Sequence, residues 1–181
     1  MYLCVLVFPL LNFIGCSLLG GLIGVKGCSL TSMFCMCCSL ICSLFIMFEV
    51  SFSGSPCQIE LCYWVFSDLL NVNWGFLFDP LTGVMLIVVS FISTLVHLYS
   101  IEYMGHDPHF PRFMSYISLF TFFMFILVTG DNLLQMFVGW EGVGLCSYLL
   151  INFWFTRIQA NKAAIKAMLV NRVGDFALSL G

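Results

Sequence analysis

Glu141, Arg172 and Asp175 are the residues of this sequence whose type and placing can do chemistry. Glu141 lies in an apolar stretch, Asn132–Thr156, that holds no other charge and is bracketed by Asp131 and Arg157. A helix starting near Asp131 carries Glu141 about 15 Å along its axis at 1.5 Å per residue. That is near the middle of a hydrocarbon layer roughly 30 Å thick. A carboxylate there costs about 2.5–3.5 kcal/mol on insertion scales, and intramembrane acids tend to mark ion or proton paths. The competing reading is a structural acid paired with a neighbouring helix. Arg172 and Asp175 stand at i, i+3 spacing and can face each other on one helix. A helix starting near Ala163 places them about 14–18 Å along it. They read either as a self-neutralising pair or as a pair in which Asp175 supports a relay around Glu141.

Two further residues are candidates for a proton path. Lys166 follows Lys162 by one turn. It is either an anchor whose ammonium snorkels to the membrane surface or a proton feed. His97 lies about 26 Å along a helix that starts at Asp79. Histidine titrates near neutral pH, so it reads as a relay member or as a satisfied interior side chain. Gly139, Gly142 and Gly144 surround Glu141. Each costs about 1 kcal/mol of helix propensity relative to Ala. They either let helices approach closely or leave room for water or a partner side chain beside Glu141. Gly144 and Tyr148 share its helix face. His106, Asp107 and His109 resemble a metal half-site that lacks further ligands. No phosphate loop, nucleophile–base pair, flavin motif or cluster motif is present, so no cofactor is expected in this chain.

These residues must be positioned by membrane helices. The chain has 181 residues, of which 61% are hydrophobic and 8% charged, with a mean hydropathy of +1.07. Such a chain has too little polar surface for a soluble domain, and the alternation of barrel strands is missing. The expected fold is therefore all-α, a polytopic transmembrane bundle of about six spans. The net charge of −3 is spread out, and the absence of a basic stripe argues against nucleic acid. The start, Met1-Tyr2-Leu3-Cys4, reads as a first membrane helix and not as a signal or transit peptide.

The spans read as Leu3–Val25, Ser29–Val50, Asp79–Tyr103, Phe113–Thr129, Asn132–Phe155 and a sixth from Ala163 onward. Residues 1–75 hold the first two spans and a polar loop, Ser51–Gly75, in which Tyr63, Trp64 and Trp74 suit a membrane–water interface. Residues 76–181 hold the third to sixth. Asp79 with Pro80 suits a helix start, and Gly130-Asp131 suits one helix end and the cap of the next. The sixth helix is still running at Gly181, so the chain reads as the front part of something longer. Of the ten cysteines, seven fall among residues 1–42 and read as inert buried thiols; Cys57 and Cys62 are a candidate disulfide if their loop faces an oxidising space. Lys26, Arg112, Arg157, Lys162 and Lys166 all fall in or beside odd-numbered loops. By the positive-inside rule those loops face the matrix or cytoplasm, and the N-terminus the other side.

The run from Trp74-Gly75-Phe76-Leu77-Phe78-Asp79, through Gly130-Asp131-Asn132, to Gly139-Trp140-Glu141-Gly142-Val143-Gly144-Leu145 resembles the subunit 5 family of respiratory NADH dehydrogenase (complex I). So do Ser147-Tyr148-Leu149-Leu150-Ile151 and Lys166-Ala167-Met168-Leu169-Val170-Asn171-Arg172-Val173-Gly174-Asp175. The resemblance covers about Trp74 to Gly181 and looks mitochondrial.

It implies the front part of an antiporter-like fold in the proton-pumping membrane arm, built in that family from two inverted five-helix units. It implies that Glu141 works against a lysine on a seventh helix, with Arg172 and Asp175 assisting. It places the chain in the mitochondrial inner membrane, with the N-terminus on the intermembrane side and the basic loops toward the matrix. The partners it implies are other membrane-arm subunits, membrane lipids and a second polypeptide that supplies the remaining helices. FMN, iron–sulfur clusters and ubiquinone are expected elsewhere in the complex. A subunit of a multisubunit cation/proton antiporter and a non-pumping structural fragment are the alternative readings.

Overall fold

A computed structural model describes residues 1–67 and 70–181. The chain forms six helices and one hairpin in the order α1 (Cys4–Leu18), α2 (Gly20–Met47), β1 (Cys57–Ser67), β2 (Leu70–Phe78), α3 (Pro80–Tyr103), α4 (Phe110–Thr129), α5 (Leu133–Ile151) and α6 (Ile158–Leu180). One π-helical turn, Phe48–Phe52, extends α2, and a 3₁₀ turn, Asn152–Trp154, follows α5. The region 20–52, α3, α4 and the region 133–154 are each long and apolar enough to cross a membrane. α1 is a shorter apolar helix of 15 residues. α6 has 23 residues but carries Lys162, Lys166, Arg172 and Asp175. The architecture is the expected polytopic helical bundle of about six spans.

Two buried clusters show how the helices alternate. At one end Val5 and Leu6 of α1, Ile46 at the end of α2, Phe76 and Phe78 of β2, Leu86 of α3 and Phe125 and Ile126 of α4 pack together. At the other end Cys16, Cys28, Met104, Phe110, Met114 and Phe153 do so. The first four helices thus cross from one cluster to the other in alternating direction, and α5 is followed by Phe153 in the second cluster. Arg112 lies 5.0 Å over the Phe153 ring and Arg157 lies 5.9 Å over Trp154, so both sit at the second end. This matches the shared side expected for the odd-numbered loops.

α4 is the hub and packs against α1, α2, α3 and α5, while α6 packs on α5. The α4–α5 approach is close because α5 presents glycine there. A Cβ at Gly139 would lie 2.7 Å from the Leu127 backbone nitrogen, and one at Gly142 would enter the Phe123 ring. These two glycines therefore serve packing.

Several element boundaries differ from the sequence-based expectation. The first helix stops at Leu18 and not near Val25. The chain turns at Leu19, and Gly24, with φ 73, breaks the start of α2 in a conformation that L side chains rarely adopt. α4 begins at Phe110 with Pro111 in its first turn, and α6 begins at Ile158, five residues before Ala163. Arg172 and Asp175 consequently sit about 21–26 Å along α6, deeper than expected.

The expected loop Ser51–Gly75 is mostly an antiparallel hairpin whose register runs from Cys57 opposite Phe78 to Ser67 opposite Leu70, with two irregularities. Its alternating Val, Ile, Phe, Tyr and Trp are strand formers as well as interface residues, and this competing meaning hid the strands. Asp68, counted in that loop, lies outside the described residues. Cys57 and Cys62 are both on β1. Five residues of strand separate them by about 16 Å, whereas a disulfide needs Cα atoms within roughly 7 Å. They do not pair with each other.

The glycine packing yields a clear expectation. Gly139→Ala gains about 1 kcal/mol of helix propensity, yet it forces a Cβ against backbone that has no room to move. Its net effect is a loss of roughly 1–3 kcal/mol. Gly144→Ala meets Asn171 Nδ2 at an ordinary 3.5 Å and stays within about 0.5 kcal/mol of the parent. Thermal unfolding in detergent, followed by circular dichroism, separates the two.

Candidate functional site

α5 and α6 lie side by side and bring three of the sequence-predicted residues together. Arg172 Nη1 donates to Glu141 Oε1 at 2.8 Å across the two helices. The same nitrogen is 3.9 Å from Asp175 Oδ2 on its own helix, one turn on. The guanidinium therefore stands between two carboxylates. The self-neutralising pair expected within α6 is the weaker of its two contacts, and the inter-helix pair is the short one.

The two acids differ in setting. The Asp175 side chain is 10% exposed, and its Oδ1 accepts a hydrogen bond from the Trp140 indole Nε1–H at 3.0 Å. Asp175 is thus held from both sides, by Trp140 and by Arg172. The Glu141 side chain is 41% exposed and Arg172 is 56% exposed. The pair lines a cleft of about 130 Å³ with Gly144, Leu145, Met168, Asn171 and Asp175. Gly144 separates from the other two glycines here, because it lines the cleft beside Glu141, whereas Gly139 and Gly142 face Leu127 and Phe123 of α4. Both sequence readings of the glycines hold, each for different members. Trp140 and Asn171 belong to the site and carried no signal of their own. Their only sequence cue was adjacency, Trp140 to Glu141 and Asn171 to Arg172.

The structure does not bring Lys166 or His97 to this cleft. Lys166 is exposed and lies roughly half a turn around α6 from the line of Met168, Asn171 and Asp175. His97 is fully buried on α3, bonded to Ser93 and to Ser118 of α4, whereas the cleft lies between α5 and α6.

The expected caps also changed. Asp79 occupies the start of α3 in an extended conformation, but its side chain makes no capping hydrogen bond. Asn132, not Asp131, precedes α5, and its side chain bonds the Asn73 carbonyl at 2.8 Å. Asp131 instead accepts from Gln58 Nε2 at 2.8 Å. Both residues tie α5 to the hairpin. Among the described residues no three His, Cys, Asp or Glu side chains converge as a metal site.

Four helices long and apolar enough to cross a membrane, with an acid–guanidinium–acid cluster between α5 and α6, define a multi-pass membrane protein. Two family descriptions match the chain: "NADH-Ubiquinone oxidoreductase (complex I), chain 5 N-terminus" over residues 64–114, and "NADH:quinone oxidoreductase/Mrp antiporter, TM" over residues 130–181. NADH-ubiquinone oxidoreductase chain 5 of Arabidopsis thaliana is 59% identical over 181 residues, and that of Marchantia polymorpha 56%. Each of these alignments covers all of this chain and 27% of the relative. The chain belongs to the complex I chain 5 family and corresponds to its N-terminal part. A subunit in the structure of an archaeal respiratory membrane complex, the membrane-bound sulfane sulfur reductase, has the same fold, with a TM-score of 0.81 at 15% identity. That match covers 94% of this chain and 34% of the other.

The indole contact at the centre of the site gives a direct expectation. Trp140→Phe keeps the aromatic packing and removes the N–H that holds Asp175. A hydrogen bond to a charged, largely buried acceptor is worth about 1.5–3 kcal/mol. Thermal unfolding of the variant in detergent shows a loss in that range, and an unchanged melting curve refutes the assignment.

Proposed function

We propose that this chain is the N-terminal part of a proton-translocating membrane-arm subunit of respiratory complex I, in the mitochondrial inner membrane. The observation that carries the proposal is the position of Arg172, within 2.8 Å of Glu141 and 3.9 Å of Asp175. A guanidinium that leans toward Asp175 leaves the Glu141 carboxylate without its counter-charge. An uncompensated carboxylate in a low-dielectric layer takes up a proton, and the return of the cation expels it. Asp175, fixed by Trp140, is the resting place of the cation while Glu141 is protonated. The 130 Å³ cleft gives water access to the exchange.

The NADH and ubiquinone chemistry belongs to other subunits, which carry FMN and the iron–sulfur clusters. The lysine that the family resemblance sets against Glu141 lies in the part of the subunit that these residues do not span, on this polypeptide or a second one. The basic end of the bundle, with Arg112 and Arg157, faces the matrix, and the N-terminus lies on the intermembrane side. Other membrane-arm subunits and lipids cover the exposed apolar faces. Lys166, on the outer face of α6, anchors that helix or feeds protons from the matrix side.

The second family description also names the Mrp antiporter, so a cation/proton antiporter is the second reading. The match of residues 64–114 to chain 5 and the 53–59% identity of the relatives favour complex I. Glu141→Gln in the assembled complex decides the main point. The expected result is several-fold lower proton translocation per NADH oxidised, with normal amounts of complex on a native gel. Loss of the complex makes Glu141 structural. Sodium- or potassium-driven proton exchange by the parent protein, without NADH, moves the antiporter reading to the front.

A further inference from the structure

The end of the bundle that holds Arg112 carries a polar crevice of about 400 Å³, separate from the α5–α6 cleft. Ser17 near the end of α1 and Gly21 at the start of α2 line it, with His109, Arg112, Ser115 and Tyr116 at the start of α4. Its walls are held by a close contact. Gly20 packs against Pro111 so tightly that a Cβ there would lie 2.7 Å from the proline Cβ. The space is many times the roughly 10–15 Å³ that holds one water.

Hydrogen-bond donors outnumber acceptors in this crevice. The Arg112 guanidinium is seated over the Phe153 ring at 5.0 Å. Among the described residues it makes no salt bridge, and its buried Nε has no hydrogen-bond partner. A buried donor of a charged group costs free energy while it lacks an acceptor. No Asp or Glu lines the crevice; Asp107, the nearest acid in the sequence, is outside the lining. His109 adds a ring that is positive when protonated. Ser17 and Tyr116 add hydroxyls, whereas Ser115 already donates to the Arg112 carbonyl at 2.7 Å. The missing partner is an anion with several oxygens. A phosphate has that form and accepts from a guanidinium at two oxygens at once.

The source of that phosphate follows from what adjoins the crevice. Phe13 and Leu10 stand one and two turns from Ser17 on α1, and Leu119 and Phe122 one and two turns from Ser115 on α4. α1 and α4 pack together, yet all four side chains stay partly exposed. Leu10 and Phe122 also line an apolar cleft of about 210 Å³ farther along the same two helices. An apolar seam therefore leads from the crevice toward the middle of the bundle, about 10 Å over seven residues of either helix. Free phosphate leaves that seam uncovered. A zwitterionic lipid brings an ammonium for which the crevice lining holds no carboxylate. An anionic phospholipid matches both parts, the phosphodiester at Arg112 and an acyl chain along the seam.

We infer that the crevice between the α1–α2 turn and the start of α4 is a binding site for the headgroup of an anionic phospholipid, with Arg112 as its anchoring cation. The phosphodiester supplies the acceptor that Arg112 Nε lacks, and the acyl chain covers Phe13, Leu10, Leu119 and Phe122. The site uses only the membrane-spanning fold and residues outside the α5–α6 cleft, so it does not rest on the proton-translocation reading.

The test uses the native membrane complex that contains this chain, in detergent. The probe is a phosphatidylglycerol with a photoreactive diazirine near the top of one acyl chain, and labelled peptides are mapped by mass spectrometry. Label is expected on α1 and α4 around Phe13, Ser17 and Leu119. Unlabelled phosphatidylglycerol displaces it, while phosphatidylcholine and inorganic phosphate do not. Arg112→Gln lowers the labelling several-fold and Arg112→Lys keeps most of it. Gly21→Leu, which places a side chain where a Cβ meets nothing within 4 Å, lowers it with Arg112 intact. Equal labelling of R112Q and the parent overturns the proposal. So does equal displacement by phosphatidylcholine, which means an unselective lipid surface, or displacement by inorganic phosphate, which means a free-anion site. Absence of label from both helices in the parent means that another protein segment fills the crevice, and overturns it too. Where R112Q does not assemble, the competition in the parent and the G21L variant decide.

Discussion

In a chain this apolar, most polar side chains inside the hydrocarbon must find their partners in the protein, because lipid supplies none. The helices meet that constraint in two ways. Most buried hydroxyls turn back on their own helix and bond a carbonyl three or four residues before, as Ser39, Ser100, Ser115, Thr121 and Thr129 do. Such a bond satisfies the group and leaves a smooth helix surface for packing. A few groups also reach across to another helix. Ser43 and Ser90 join α2 to α3 at 2.8 Å, Asn12 joins α1 to Ser118 on α4, and Arg172 joins α6 to Glu141 on α5. These inter-helix bonds add direction to packing that is otherwise only a matter of shape.

The same constraint explains the hairpin. Its strands pair with each other along their inner edges, and β2 is pinned to the beginning of α5 by side chains that take up outward backbone groups. Gly75 N–H donates to Gln135 Oε1 at 3.1 Å, Gln58 bonds Asp131, and Asn132 bonds the Asn73 carbonyl. Gly75 also meets Asp131 closely enough that a Cβ there would sit 3.3 Å from its carboxylate. The helix that carries Glu141 is therefore fixed at its first turn by the hairpin and along its length by the glycine contact with α4. α5 is thus the fixed wall of the cleft, and α6 packs on it.

What the sequence disclosed follows the strength of each physical signal. An unbroken apolar run with one acid is unambiguous, so the α5 helix and Glu141 were legible, as were the i, i+3 pair on α6 and the Asp-Pro start of α3. Spacing alone could not tell that Arg172 prefers the acid on the other helix, because that depends on which faces of α5 and α6 meet. The hairpin was hidden because Tyr63, Trp64 and Trp74 fit both an interface and a strand. Asp131 looked like a cap because its type suits one, yet Asn132 takes that position and Asp131 binds Gln58. Asn12 and Ser118 were invisible for a further reason. Single small polar residues in membrane helices usually bond their own backbone, and only the packing of α1, α3 and α4 shows which of them do more.

The contrast between the two polar networks follows from charge. Around Arg172 two carboxylates compete for one cation, so moving the guanidinium by about an ångström changes which acid is neutralised, and opposite charges at such range interact by several kcal/mol even at an effective dielectric constant of 20. Around His97 no carboxylate is hydrogen-bonded to the ring among the described residues, and the balance is between hydrogen bonds that each contribute about 1 kcal/mol. The first arrangement responds to any shift of α6 against α5. The second is enclosed by three packed helices and holds its geometry when α6 shifts against α5.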